Sequence, residues 1–130
     1  MPESLGIFAI DHIVLTVRDV DTTCAWYGRV LGMRRVEFDG GYVALHFGVQ
    51  KINLHPDNAP YVPHATIAQP GTADVCFVAT GTIEEIVAAL NREDVAIEVG
   101  PVEQTGASGV MDSVYVRDPD GNLVEIASYR

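Results

Sequence analysis

The chain has few basic residues and no long run of apolar residues. Among its 130 residues, 8 Lys and Arg stand against 18 Asp and Glu, for a formal net charge of −10. Proteins that bind nucleic acid or anionic lipid need a basic surface, so this imbalance argues against both partners. No apolar run approaches the roughly 18–20 residues that cross a bilayer, and the sequence therefore predicts no membrane span.

Cysteine is scarce as well. Cys24 and Cys76 are too few for a disulfide scaffold, and their number is typical of a reducing compartment. The first ten residues lack the basic segment and the apolar core of a secretory signal, so we expect a cytoplasmic protein. Hydrophobic residues make up 48% of the chain and charged residues 20%, which excludes a disordered or fibrous chain. The length indicates one domain.

The first half of the chain predicts a strand, a helix and three further strands. Residues 10–17 are rich in β-branched side chains, which favour a strand. The helix can begin at Asp19 or Asp21, whose carboxylates would accept the free amide hydrogens of its first turn, and it ends before Gly32. Three short strands are predicted at residues 34–38, 42–47 and 51–55.

The same order returns after a proline-rich connector, residues 56–71. A strand at residues 73–79 and a helix beginning at Thr82 precede strands at 95–99, 113–117 and 123–128. The small-residue segment 104–109 is predicted to be a flexible loop that closes over a substrate, with an ordinary connector as the alternative. The fold class is therefore α+β, with two tandem β-α-β-β-β modules, about residues 7–55 and 72–129, that cover each other's apolar faces.

Residues of metal-ligand type fall on the first and last strands of each half. Strand alternation places His12, His55, Asp74 and Glu125 on the faces opposite the predicted core. The repeat pairs His12 with Asp74 and His55 with Glu125. Imidazole and carboxylate are ligands of Zn, Fe, Mn, Ni and Co, and two His with one carboxylate leave positions open for substrate. Half-buried strand histidines and a solvent-facing glutamate are the alternative.

Three segments carry a resemblance to a known superfamily. Residues 11–17 (DHIVLTV), the helix end from Trp26-Tyr27 to Leu31-Gly32, and residues 117–125 (RDPDGNLVE) resemble the vicinal oxygen chelate superfamily. This is the glyoxalase, bleomycin-resistance and extradiol-dioxygenase group. Within it, residues 51–55, 70–74 and 100–109 most resemble the branch called glyoxalase domain-containing protein 5.

The resemblance implies an open, curled mixed sheet around a metal site, and a homodimer. It implies that His12, His55 and Glu125 hold a divalent ion (Zn, Ni, Mn, Fe or Co), with Asp74 at a fourth position. The common mechanism of the superfamily is chelation of two vicinal substrate oxygens by an ion that acts as a Lewis acid. Glyoxalase I usually has Glu where His55 stands and His where Asp74 stands, so the resemblance specifies no single reaction.

Three functions follow as hypotheses. The first is a metal-dependent lyase or isomerase of the glyoxalase type that acts on a small oxygenated metabolite. Its catalytic residues would be Glu125 and Asp74, and a thiol cosubstrate is compatible with it. The second is an iron-dependent ring-cleaving dioxygenase. The third is a non-catalytic binding protein of the bleomycin-resistance type, whose pocket persists without metal.

Three further residues are candidates for substrate contact. Tyr115 could direct its hydroxyl at a bound substrate, and Cys76 shares the strand face of Asp74. His64 lies in the connector, from which it could overhang the pocket. The structural alternatives are a core or rim residue for Tyr115, a small buried apolar residue for Cys76, and an ordinary loop histidine for His64.

Overall fold

The computed structural model describes residues 4–130 and contains eight strands and two helices in that part of the chain. In chain order they are β1 His12–Val17, α1 Val20–Leu31, β2 Arg34–Phe38, β3 Tyr42–Phe47, β4 Gln50–Pro56, β5 Asp74–Val78, α2 Ile83–Arg92, β6 Val99–Gly106, β7 Gly109–Arg117 and β8 Leu123–Tyr129. Neither helix is long and apolar enough to cross a membrane.

The strands form two four-stranded sheets that repeat one topology. The first sheet has the order β1-β4-β3-β2 and the second has the order β5-β8-β7-β6. In each sheet the first strand pairs in parallel with the last, and the remaining pairs are antiparallel. The predicted α+β fold with two β-α-β-β-β modules is confirmed, and the sheets do not close into a barrel.

Both helices begin at the predicted caps. The Asp19 carboxylate accepts the amide hydrogen of Thr22 at 2.8 Å, so the first turn of α1 loses no hydrogen bond to water. Gly32 ends α1 in the left-handed conformation, at φ 71°, where a residue with a side chain is strained. Thr82 and Glu85 form a reciprocal capping box at the start of α2.

The apolar faces of the sheets pack into two connected core clusters. Leu15, Val17, Ile52 and Leu54 are at most 3% exposed and form the centre of the first cluster, beneath α1. Phe77 of the second module contacts both clusters, and its ring lies 5.3 Å from that of Phe47, centre to centre. The modules therefore bury apolar surface against each other, as predicted.

A buried turn fastens the second module to the first. Asp118 is 5% exposed, and its carboxylate accepts hydrogen bonds from the Tyr27 hydroxyl at 2.7 Å and from the Asp120 and Asn122 amides at 2.9 Å. Arg18 of the first module donates to the Asp120 carboxylate at 3.2 Å. These polar groups are buried at low cost because they satisfy one another.

Two sequence predictions fail in the second module. Its second strand runs over Val99–Gly106 and not over residues 95–99, because Val95 and Ile97 pack against the core from irregular backbone. The predicted flexible loop at residues 104–109 is a tight hairpin in which Gly106 pairs with Gly109. A β-carbon at Gly106 would lie 2.5 Å from the Tyr129 hydroxyl, so this glycine serves close packing and not flexibility.

Candidate functional site

Each sheet has one face in the core and one face turned away from it, which we call the open face. Alternation places three side chains of each strand on the open face of the first sheet. They are His12, Val14 and Thr16 of β1, Lys51, Asn53 and His55 of β4, Tyr42, Ala44 and His46 of β3, and Arg34, Val36 and Phe38 of β2.

The register of β1 and β4 separates the two predicted histidine ligands. His12 is opposite Lys51, whereas His55 is opposite Thr16. His55 therefore lies four residues beyond the partner of His12, or about 13 Å along the strand at 3.3 Å per residue. The two imidazoles belong to different ends of the open face.

The register of the second sheet corrects the predicted repeat. Asp74 is opposite Leu123, so Glu125 lies two residues beyond the partner of Asp74. The position two residues beyond the partner of His12 is Asn53. His12 and Asp74 are equivalent, as predicted, but the equivalent of Glu125 is Asn53 and not His55. The alternation was correct, but a histidine was preferred over an amide two residues away because of its chemistry.

We call His12 with Asn53 the first half-site and Asp74 with Glu125 the second half-site. Within residues 4–130 of one chain, no three His, Cys, Asp or Glu side chains gather where a single ion could bind. The histidine of the first half-site and the carboxylates of the second are therefore apart in one chain. Together the four side chains offer an imidazole, an amide oxygen and two carboxylates, a donor set suited to a divalent metal.

Several polar atoms of the open faces are buried without a partner. Asn53 Oδ1, His55 Nδ1 and Glu125 Oε2 have no hydrogen-bond partner in the described chain. Buried polar atoms usually find one, so each is a candidate for contact with a ligand or ion. His12 Nδ1 lies 2.8 Å from the Asp11 carboxylate, which accepts its hydrogen and leaves Nε2 free to bind. The donor set therefore fits a metal only if the two half-sites meet.

Tyr115 and Cys76 flank Glu125 on the open face of the second sheet. Both are opposite Glu125 in the register of their strands, and the three side chains line a cavity of about 340 Å³. Burial, followed by the Glu125 carboxylate, raises the pKa of the Cys76 thiol to about 11. The same two causes raise the pKa of the Tyr115 hydroxyl. Cys76 is thus a protonated thiol at neutral pH and not an activated nucleophile.

His64 lies beside His55, on the side of the connector. The two histidines line a cavity of about 290 Å³ with Thr16 and Asn122. The His64 ring donates a hydrogen bond to the carbonyl of Ala65 at 2.9 Å. Burial, followed by the charge of His64, lowers the pKa of His55. These two predicted residues are thus together, but on the first sheet, apart from the cavity that Tyr115 and Cys76 line.

An aromatic cavity that the sequence analysis missed adjoins Asn53. It measures about 180 Å³, and its lining includes Tyr42, Asn53, His55 and Tyr61. The Tyr61 ring centre lies 4.6 Å from that of Tyr42 and 5.0 Å from that of His55. Tyr61 belongs to the connector, which has no periodicity, so only the fold brings it to the sheet.

Comparisons with known proteins follow the same line. The model of the Glyoxalase/Bleomycin resistance protein/Dioxygenase superfamily matches residues 9–126. The chain is 48% identical over 120 residues to virulence protein STM3117 of Salmonella typhimurium, covering 92% of this chain and 83% of that protein. It is 44% identical over 126 residues to glyoxalase domain-containing protein RDO1 of Mycosarcoma maydis, covering 97% and 71%.

Solved structures agree with these matches. The crystal structure of the Salmonella virulence protein matches at a TM-score of 0.94 with 47% identity, covering 95% of this chain and 98% of that one. A lactoylglutathione lyase from Agrobacterium tumefaciens matches at a TM-score of 0.72 with 25% identity, covering 95% of both chains.

Proposed function

Because the chain belongs to the Glyoxalase/Bleomycin resistance protein/Dioxygenase superfamily, we propose that it is a metal-dependent lyase or isomerase of the glyoxalase type. Its substrate would be a small metabolite that binds through two vicinal oxygens. The observation that carries this proposal is the matched register of the half-sites, His12 with Asn53 and Asp74 with Glu125. The narrower resemblance to the glyoxalase domain-containing protein 5 branch stays a prediction.

The four half-site residues are our proposed metal ligands. His12 and Glu125 keep the roles predicted from sequence, Asp74 keeps the fourth position, and Asn53 takes the position expected of His55. A bound divalent ion would act as a Lewis acid toward the substrate oxygens. His55, two residues beyond Asn53, would then contact the substrate through its unpartnered Nδ1.

The carboxylates would move the substrate proton. Asp74 is exposed at the start of β5, where a substrate can reach it, and we assign it as the base. Glu125 lies between Cys76 and Tyr115, two groups that burial and its own charge keep protonated. Tyr115 can therefore donate a hydrogen bond to a substrate oxygen that gains negative charge.

A complete site requires a second copy of the chain. The half-sites are apart within one chain, so we propose a homodimer in which the first half-site of one copy faces the second half-site of the other. An apolar arm just before β1 supports this. Leu5, Ile7, Phe8 and Ile10 are 92%, 84%, 97% and 66% exposed, and apolar surface of this kind is typical of an interface.

Metal analysis tests the proposal. Protein purified without chelator should contain about one divalent ion per chain, and substituting His12→Ala or Asn53→Ala should lower that content. His46→Ala is the matched control, since His46 shares the open face but lies on β3. Unchanged metal content in Asn53→Ala, with loss in His55→Ala, would refute our ligand assignment, and protein without metal would refute the enzyme.

The arm has its own measurement. Phe8→Asp should shift the mass in analytical ultracentrifugation from dimer to monomer, because it places a charge in the proposed interface. Val49→Asp is the control, since Val49 is 99% exposed in the turn between β3 and β4. Equal behaviour of the two variants would exclude the arm from the interface.

A non-catalytic binding protein is the second candidate, and the aromatic cavity favours it. At about 180 Å³, the cavity beside Tyr42 and Tyr61 is close to the 150 Å³ that accepts one benzene ring. Such a protein would bind ring compounds equally well with and without metal. The dioxygenase hypothesis needs two imidazoles on one ion, and the register separates His12 from His55.

A further inference from the structure

Four basic or titratable nitrogen groups form one row across the open face of the first sheet. Arg34 of β2 is opposite His46 of β3, which is opposite Lys51 of β4, which is opposite His12 of β1. All four are directed away from the core by strand alternation. At about 4.8 Å between strands, the row is about 14 Å long.

The row is unusual in so acidic a chain. Five of the eight Arg and Lys residues form ion pairs with carboxylates, whereas Arg34 and Lys51 have no carboxylate within 4 Å in the described chain. The Lys51 ammonium lies 4.1 Å from the centre of the Phe38 ring instead. Like charges that face each other across strands are destabilising, so the row costs stability and is best explained by a ligand.

We propose that this row binds an anionic group of the substrate, a carboxylate or a phosphate. The inference rests on the proposed function for its location, because Lys51 is beside His12 and two residues before Asn53. An anion at Lys51 or His46 would be one or two strand spacings, about 5–10 Å, from the metal-bound oxygens. The substrate class is therefore a small metabolic acid that carries its charge a few bonds from two vicinal oxygens.

Electrostatics explains why such a site must be local. A chain with a net charge of −10 repels an anionic metabolite at long range. Unpaired cations in a partly buried row reverse that field at short range, where the ligand excludes water and strengthens each interaction. Arg34 can bind a carboxylate or phosphate through two parallel hydrogen bonds, and Lys51 adds a mobile point charge.

Calorimetric titration of the metal-containing protein tests the inference. The probes are succinate, glycerol phosphate and the uncharged succinamide. We expect both anions to bind at least about tenfold more tightly than succinamide, and the stronger of the two distinguishes a carboxylate site from a phosphate site. Arg34→Gln and Lys51→Gln should each weaken anion binding about tenfold, the loss of one charge-assisted hydrogen bond.

Arg92→Gln is the matched control, because Arg92 also lacks a carboxylate partner in the described chain but lies on α2. It should leave anion binding unchanged, and Lys51→Arg should largely preserve it. Equal binding of succinamide, or an equal loss in Arg92→Gln, would overturn the inference.

Two further outcomes are separable. If Lys51 instead pairs with carboxylates of the second copy, Lys51→Gln will change the sedimenting mass and not the anion affinity, which overturns the inference. Metal content is measured on the same samples. Full metal content without anion preference refutes this inference and leaves the proposed function, whereas anion binding without metal refutes the proposed function alone.

Discussion

The two modules share one topology and one register, yet their open faces carry opposite chemistry. At equivalent positions the first sheet has His12 and Asn53, and the second has Asp74 and Glu125. The first face also carries the unpaired Arg34 and Lys51. A repeat therefore preserves the backbone positions from which side chains can converge, while each copy is free to supply different donors. Neither half-site is sufficient alone, and that makes the pairing of modules the central question.

The sharpest way to break the comparison is to disable one half-site in each of two variants. His12→Ala and Glu125→Ala homodimers should each have both sites defective and bind little metal. Unfolding and refolding them together should form heterodimers with one intact site, because the wild-type half-sites then meet. We expect about a quarter of the wild-type metal content in a statistical mixture, measured by mass spectrometry of the bound metal.

The control for that experiment mixes His12→Ala with Asn53→Ala. Both changes lie in the first half-site, so no pairing restores an intact site. Recovery in this control, or none in the first mixture, would contradict a site shared between copies.

The next largest effect concerns the turn that joins the modules. Asp118→Ala should lower the free energy of unfolding by about 3 kcal/mol, because it removes a buried carboxylate and leaves the Tyr27 hydroxyl without its acceptor. Urea unfolding measures the change. Asp112→Ala is the control, since Asp112 pairs with Arg130 at the surface and should cost less than about 1 kcal/mol. Similar losses in both variants would show that the turn is not a special fastening.

The cysteines sharpen the comparison between modules at a smaller scale. The pKa of Cys76 is about 11, raised by burial and then by Glu125, so iodoacetamide should alkylate it slowly at pH 8. Glu125→Gln removes a negative charge, lowers that pKa and should speed alkylation a few-fold. Cys24 in the first module, whose pKa is raised chiefly by burial, should react at an unchanged rate. Peptide mass spectrometry distinguishes the two thiols.

The smallest predicted effect is a pH dependence from the first module. Burial, followed by the charge of His64, lowers the pKa of His55 below the ordinary 6.5. The unfolded chain then binds the proton more readily, so the folded state loses stability as pH falls below about 6.5. In chelator-treated protein, His55→Gln should flatten this slope between pH 7.5 and 5.5 in urea unfolding. A slope that is unchanged in the variant would assign the dependence to another group.

The backbone plan was predictable because it depends on local rules. The caps at Asp19 and Thr82 and the left-handed Gly32 follow from hydrogen-bonding capacity and φ preference, and the alternation in β4 follows from the strand period of two. The hairpin at residues 104–109 was not predictable. Small residues indicate flexibility when the chain is considered alone, and only the Tyr129 hydroxyl beside Gly106 shows why a side chain is excluded there.

The site was half predictable for the same reason. Strand alternation by itself placed His12, Asp74 and Glu125 on open faces, because the direction of a side chain is a local property. Which residues of two strands stand beside each other is set by register, and register depends on the packing of whole faces. The tertiary structure therefore decided that Asn53 stands in the place expected of His55, aligned Arg34 with Lys51, and separated the two half-sites within one chain.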